Sequence, residues 1–160
     1  MPSDESLLLE AVRLARAARD RGNHPFGALL ASAAGEILLE AENTVVTASD
    51  VTGHAETNLV RLATRHFDRA TLASTRLISS TEPCAMCAGA IYWSDIGGVV
   101  YALAETELLA LTGSDPENPT LSLSCRDVFA AGQRPIEVRG PFPLPEAVDV
   151  HHGFWRPVRG

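Results

Sequence analysis

Two cysteines with metal-ligand spacing follow a proline in the stretch TEPCAMCAGAIYW, residues 81–93. Cys84 and Cys87 are three positions apart, and a helix that opens at Pro83 as its first residue would place both thiols on one face. Zinc binds Cys thiolates and His nitrogens in a tetrahedral arrangement. His54, in TGHAETNLV, opens a second predicted helix that we expect to lie beside the first. The spacing therefore predicts one metal ion shared by His54, Cys84 and Cys87.

A carboxylate belongs to the same predicted site. Glu56 lies two residues after His54 in the first turn of its helix, so it can face the site without binding the ion. Both helix N-termini favour anionic thiolates through their unpaired N–H groups and the macrodipole. Two thiolates and a neutral imidazole leave the ion with almost no net charge, which makes a nearby base useful. We therefore expect Glu56 to carry protons between a metal-held water and a substrate.

The residues alone leave two other interpretations of the cysteines open. A C-x-x-C pair in a βαβ setting is also typical of thioredoxin-like redox sites, although these need no upstream H-x-E. A purely structural zinc would recruit Cys125 as fourth ligand and leave no place for water. Otherwise Cys125 is expected to be a small buried apolar residue. The histidines expected in surface or packing roles are His24, His66, His151 and His152.

The elements that must position these residues alternate along the chain. Apolar residues at helical spacing predict helices over about residues 3–20, 53–67 and 83–93. Two short apolar runs on either side of Ala34 and Gly35 predict a β-hairpin, and TRLISS and GGVVYAL predict two parallel strands. A short helix, a polar loop, a helical turn, the strand IEVRG and a terminal helix follow. We expect one α/β domain over residues 1–160, a three-layer α/β/α sandwich with a mixed sheet of about five strands.

Composition limits the partners of the protein. Its 160 residues carry a formal net charge of −7, and all 13 basic residues are arginines. An acidic surface without a dense arginine cluster disfavours nucleic acid as a partner. The sequence has no apolar run of membrane-spanning length, and its amphipathic N-terminus does not match a secretory signal. Three cysteines are too few for a disulfide framework, so we expect a cytoplasmic protein.

The order H-A-E and then P-C-x-x-C resembles the signature of the cytidine and deoxycytidylate deaminase superfamily. The resemblance covers HPFGALL, EAENTV, GHAETNLV and TEPCAMCAGAIYWSDIGGVVYA, about residues 24–102, and is strongest for the branch of bacterial guanine deaminases. It implies a Zn²⁺ cofactor, a homodimer, and hydrolytic deamination of a nucleobase or nucleoside, guanine-type first, with release of ammonia. The alternatives are a tRNA adenosine deaminase and a non-catalytic zinc-stabilised binding module.

Several residues are expected to contact the substrate. The resemblance implies that Asn43 binds the base, that Trp93 lies near it, and that Asp115 touches it from a loop. The PENPT stretch after Asp115 departs from the family's pattern and leaves the choice of substrate open. A backbone N–H at the start of the cysteine helix can polarise a carbonyl or ring nitrogen. The resemblance also implies that the C-terminal segment, about residues 140–160, closes the active site. The expected substrate-binding set is Phe26, Gly27, Asn43, Ala55, Ala85, Trp93 and Asp115.

Overall fold

The computed structural model describes residues 2–156, and its elements follow the predicted order except for one short helix, α3, that was not predicted. The first half of the chain contains α1 (Asp4–Asp20), β1 (Gly27–Ala31), β2 (Ile37–Glu42), α2 (Ala55–His66) and α3 (Arg69–Ala73). The second half contains β3 (Arg76–Thr81), α4 (Ala85–Ser94), β4 (Gly98–Leu103), α5 (Glu105–Thr112), α6 (Cys125–Ala130), β5 (Glu137–Arg139) and α7 (Pro145–Asp149).

The five strands form one mixed sheet in the order β2-β1-β3-β4-β5. Strand β1 pairs antiparallel with β2 and with β3, whereas β3, β4 and β5 are parallel. The predicted hairpin, the parallel pair and the five-stranded mixed sheet are therefore confirmed. Because β3 and β4 are parallel, their carboxyl ends lie at the same edge of the sheet, and α4 and α5 begin there.

Helices cover both faces of the sheet, as the predicted three-layer sandwich requires. On one face, buried residues of α1 and α7 pack on the sheet around Leu8, Ile78 and Ala147. On the other face, α2, α4 and α6 pack around Leu59 and Ile91. This second layer brings α2 and α4 together, so the helices that carry the predicted ligands lie side by side. Within residues 2–156, the structure contains no helix that is both long and apolar enough to cross a membrane.

The two ligand-bearing helices begin one residue later than their first ligand. His54 is the N-cap of α2 and Cys84 is the N-cap of α4, both with extended backbone. An N-cap side chain usually accepts a hydrogen bond from its own helix, but neither of these does. The prediction that Pro83 is the first helical residue is therefore wrong. The thiol of Cys84 contacts both His54 and Cys87.

Candidate metal centre and active site

The structure brings the three predicted ligands together. The Sγ atoms of Cys84 and Cys87 each lie 3.5 Å from Nδ1 of His54 and 3.5 Å from one another. Zinc bond lengths of about 2.3 Å to sulfur and about 2.0–2.1 Å to nitrogen, at tetrahedral angles, require donor separations of about 3.5–3.8 Å. The donor types and their spacing therefore fit a single zinc ion.

The electrostatics of this cluster favour binding of a cation. The pKa of Cys84 is lowered to about 4, because its hydrogen bonds with Cys87 and with His54 favour the thiolate against the effect of burial. Burial alone would lower the pKa of His54, but its contact with Cys84 and the charge of Glu56 raise it overall. The cluster thus holds a thiolate beside two further donors, and a bound cation would displace their protons.

Glu56 lies next to the three ligands without belonging to their group. Its side chain is buried, with 5% of the residue exposed. The Ser79 hydroxyl donates to Oε1 at 2.6 Å, and Oε2 lies 3.5 Å from Sγ of Cys87. Burial raises the pKa of Glu56, and the bond from Ser79 opposes this rise. A carboxylate with a raised pKa beside a metal site is suited to taking up and returning protons.

A cavity of about 530 Å³ opens over this site. Two of the metal ligands and Glu56 form one part of its lining, and the polar loop after α5 forms another. This volume suits a small-molecule ligand. The residues that line the cavity include His24, Phe26, Asn43, His54, Glu56, Glu82, Cys84, Glu105, Glu117, Asn118, Thr120 and Leu121.

Two of the predicted substrate contacts line the cavity. Asn43 is buried, and its Oδ1 accepts a hydrogen bond from the N–H of Val45 at 3.0 Å. The Phe26 ring is partly buried and has His151 and Trp155 behind it, with ring centroids 5.4 Å and 6.0 Å away. Both side chains are therefore held in place at the cavity surface.

Three other predicted contacts lie beside the cavity without lining it. A Cβ at Gly27 would come within 2.4 Å of the carbonyl oxygen of Ala11, so this glycine allows α1 to pack closely on β1. Ala55 and Ala85 are the first residues of α2 and α4. Their backbone N–H groups, next to His54 and Cys84, have no intrahelical acceptor.

Trp93 and Asp115 lie outside the cavity lining. Trp93 is 82% exposed at the end of α4, so within this chain it is neither core nor cavity surface. Asp115 is buried, and its carboxylate accepts from the backbone N–H groups of Glu117 and Arg156. It therefore fastens the loop to the C-terminal segment, and Glu117 is the loop carboxylate that lines the cavity.

Sequence reasoning missed other residues of the site. His24, expected only to pack or face solvent, lines the cavity, and its Nε2 lies 3.1 Å from Oε2 of Glu117. Glu105 also lines it, and burial, followed by the negative charge of Cys84, raises its pKa to about 8. The polar run SSTE at the end of β3 was the available signal for Ser79 and Glu82, because polar residues there reach the edge of the sheet where α4 begins.

The C-terminal segment packs behind the cavity. Its ring contacts reach His24 from Phe154 and Trp155, with centroid distances of 5.9 Å and 5.5 Å. Arg19 fastens it to α1 through the carbonyl oxygens of Val150 and His152. Residues 157–160 of the predicted closing segment lie outside the described part of the chain.

Cys125 is buried at the start of α6 and does not belong to the ligand group found among residues 2–156. Burial, together with the charge of Glu82, raises its pKa to about 12, so it remains a neutral thiol. A closed site with three cysteines and one histidine therefore lacks its fourth ligand in this structure.

The fold is an α/β/α sandwich with a mixed sheet, and the N-termini of two adjacent helices bring the three metal donors and the buried carboxylate of Glu56 together. This combination defines the class of zinc-dependent hydrolytic deaminases. Comparisons with known proteins place the chain within this class. Residues 1–103 match the model of the cytidine and deoxycytidylate deaminase zinc-binding region. The chain belongs to this deaminase family and is a hydrolase that acts on C–N bonds of cyclic amidines.

Relatives and solved structures cover several substrates. A probable cytosine deaminase of Schizosaccharomyces pombe is 42% identical over 95% of this chain and 92% of its own length. The guanine deaminase of Bacillus subtilis is 39% identical over 64% and 66%, and a tRNA-specific adenosine deaminase of Haemophilus influenzae is 35% identical over 64% and 59%. The solved guanine deaminase of Nitrosomonas europaea superposes with a TM-score of 0.77 at 25% identity, over 94% of this chain and 84% of that chain. These proteins share deamination of a nucleobase or nucleoside unit.

Proposed function

We propose that this protein removes the amino group of a free nucleobase by hydrolysis and that guanine is its preferred substrate. The observation that carries the proposal is the buried Glu56 carboxylate beside three converging zinc donors in the lining of a cavity. A bound zinc would be held by His54, Cys84 and Cys87, and it would supply Lewis-acid activation of water at neutral pH.

Glu56 moves the protons in this proposal. Ser79 holds Oε1, which leaves Oε2 as the oxygen that exchanges protons in the cavity. Ionised Glu56 accepts a proton from the attacking water and passes it to the ring nitrogen beside the reacting carbon. It then takes the second proton from the hydroxyl now bound to that carbon and delivers it to the leaving amine, so that the C–N bond breaks as the C=O bond forms. The carbon gains a C–O bond and loses its C–N bond, so water and the amino base become the oxo base and ammonia.

Asn43, Phe26 and Glu117 orient the base. Since Oδ1 of Asn43 already binds Val45, its amide N–H groups are the natural donors to a ring carbonyl or nitrogen. The Phe26 ring offers a face for stacking. The Glu117 carboxylate accepts from ring N–H groups, which are more numerous in guanine than in cytosine. The cavity volume also suits a bicyclic base.

Cytosine is the second candidate substrate. It is favoured by the 42% identity to the probable cytosine deaminase of S. pombe, which extends over 95% of this chain. Both bases present an amino carbon flanked by a ring nitrogen, so Glu56 would act on them in the same way.

A screen of ammonia release tests the proposal. The zinc-loaded protein is incubated with guanine, cytosine, isocytosine, adenine, guanosine, cytidine and a pterin, and Glu56→Ala serves as the background control. We expect one ammonia per guanine, with xanthine as the product. Faster turnover of cytosine would favour the second candidate, and the absence of turnover with every compound would refute the proposal.

The tRNA and binding-module alternatives predict different results. A tRNA deaminase requires a surface that attracts RNA, whereas this chain carries a net charge of −7. A gel shift with tRNA at low salt should show no complex. A zinc-stabilised binding module would hold its metal without any exchangeable water and would release no ammonia from any base.

We also propose that the protein is cytoplasmic, because its metal site needs reduced thiols. We propose further that it is a homodimer, because one face of α4 is apolar and exposed. That face contains Met86, Gly89 and Trp93, and a Cβ added at Gly89 would meet no atom within 4 Å among the described residues, its chain neighbours and the backbone of its own helix apart. A mid-helix glycine costs about 1 kcal/mol relative to alanine, so close approach of a partner helix would explain it. Sedimentation should show a wild-type dimer that Trp93→Glu disrupts and the control Leu9→Glu preserves. A monomeric wild type would refute this.

A further inference from the structure

Glu82 is a buried carboxylate that the mechanism above does not use. It immediately precedes Pro83 and Cys84, and 6% of the residue is exposed. Its backbone N–H donates to the carbonyl oxygen of Leu103 at 2.7 Å, which fixes the segment that carries Cys84 to the end of β4. The position of its carboxylate is therefore determined by the two central parallel strands of the sheet.

The two oxygens of this carboxylate bind two separate points of the chain. Oε1 accepts from the N–H of Glu105 at 3.0 Å. Oε2 accepts from the N–H of Cys125 at 3.0 Å and from the hydroxyl of Ser124 at 3.1 Å. Glu105 is the first residue of α5 and Cys125 is the first residue of α6. One side chain thus holds both ends of the segment between these positions.

That segment, residues 105–124, forms one side of the cavity, and we call it the cover. Helix α5 and the loop after it supply the lining residues Glu117, Asn118, Thr120 and Leu121, among others. Apart from its two ends at Glu82, the loop is fastened to the C-terminal segment through Asp115 and the N–H of Arg156, and to His24 through Glu117. Among these attachments, the two ends at Glu82 are the ones that join the cover directly to the segment that carries Cys84.

We propose that Glu82 is a positioning residue: its carboxylate holds both ends of the cover at a fixed distance from the metal ligands and so sets how tightly the cover closes on the substrate. This inference rests on the deamination proposed above, but it does not depend on which base is the substrate. The cover contacts the base, while the reacting proton is moved by Glu56. A loosened cover should therefore impair substrate binding more than the chemical step.

Glu82→Gln is the test variant. A glutamine side chain has one acceptor oxygen, so its amide N–H₂ must face the donors at one end of the cover and that end is released. Glu107→Gln is the matched control, because Glu107 also caps α5, through the N–H of Ala104, but is not bonded to α6. Both variants replace a carboxylate at the same helix end.

The kinetic readout separates positioning from stability. Hydrogen bonds to a charged group are strong, so Glu82→Gln, which releases one end of the cover, should raise KM about tenfold or more. Its kcat and its zinc content should change little. Glu107→Gln should leave KM unchanged. Unchanged kinetic constants with a lower melting temperature, or a fall in kcat with loss of zinc, would overturn the inference.

Two further measurements keep the test decisive. Hydrogen exchange of the backbone amides of residues 113–124 should be faster in Glu82→Gln than in the control, and this readout needs no turnover, so it stands even if the proposed reaction fails. If Glu82→Gln does not fold, Ser124→Ala removes the hydroxyl donor to Oε2, together with the cap that this hydroxyl gives α6 by accepting from the N–H of Arg126, and should raise KM about twofold to threefold. Equal exchange rates, or an unaltered KM in Ser124→Ala, would overturn the inference.

Discussion

Ser79 provides the most direct control over the protonation of Glu56. It lies fully buried in β3, and its hydroxyl donates to Oε1 at 2.6 Å. A hydrogen bond to an ionised group contributes about 1.5–3 kcal/mol. Because this bond favours the ionised form, Ser79→Ala should raise the pKa of Glu56 further above its ordinary range. Below the pKa of Glu56, the ionised fraction of Glu56, and with it kcat/KM, should be about 10- to 150-fold lower in the variant, since about 1.4 kcal/mol corresponds to a factor of ten.

The pH profile of ammonia release measures this effect. The wild type and Ser79→Ala should differ most at low pH and converge at high pH, where Glu56 is ionised in both. Ser80→Ala is the matched control, because Ser80 is also buried in β3 but its hydroxyl accepts from the N–H of Gly27. An unchanged profile in Ser79→Ala, or an equal loss at every pH, would refute the assigned link between Ser79 and Glu56.

Three further predictions concern the metal, the C-terminal segment and the packing of α1. Removal of zinc with a chelator should lower the melting temperature and abolish ammonia release, and added zinc should restore the wild type but not Cys87→Ser; activity in metal-free protein would contradict this. Burial lowers the pKa of His151 from 6.5 to about 4. Between pH 6.5 and about 4, the unfolded chain therefore binds a proton at His151 that the folded chain does not. The wild type should therefore lose about 3 kcal/mol more unfolding free energy than His151→Phe as the pH falls from 6.5 to 4, measured in urea, and parallel curves would contradict this. Gly27→Ala should cost about 3 kcal/mol, because its Cβ would overlap the backbone of α1, and an unchanged melting temperature would contradict the close packing.

The convergence of the three candidate metal donors was predictable because its signal is local. His54 and Glu56 are two residues apart, and Cys84 and Cys87 are three apart, so each pair needs only a helix start to bring its members together. The alternation of helical and extended patterns then predicts that the two helices lie on a common sheet. The same local logic misplaced the start of α4, since Pro83 is a favourable first helical residue but Cys84 has an extended backbone.

The substrate side of the site was less predictable, because it depends on contacts between distant segments. Asp115 and Glu117 are two residues apart in a proline-interrupted loop that has no periodicity, so the sequence did not indicate which carboxylate faces the cavity. The role of Gly27 depends on how closely α1 approaches β1. Trp93 is exposed at the end of α4, which the apolar composition of that helix does not indicate.

The central claim is that Glu56 moves the protons of a deamination at a zinc site formed by His54, Cys84 and Cys87. Ammonia release and zinc content, measured together for the wild type and Glu56→Ala, test it most directly. We expect one zinc per chain in both proteins and a rate that falls by at least about 10²-fold in the variant, since general acid–base catalysis contributes about 10²–10⁴. A zinc-loaded Glu56→Ala that releases ammonia at close to the wild-type rate would contradict the account.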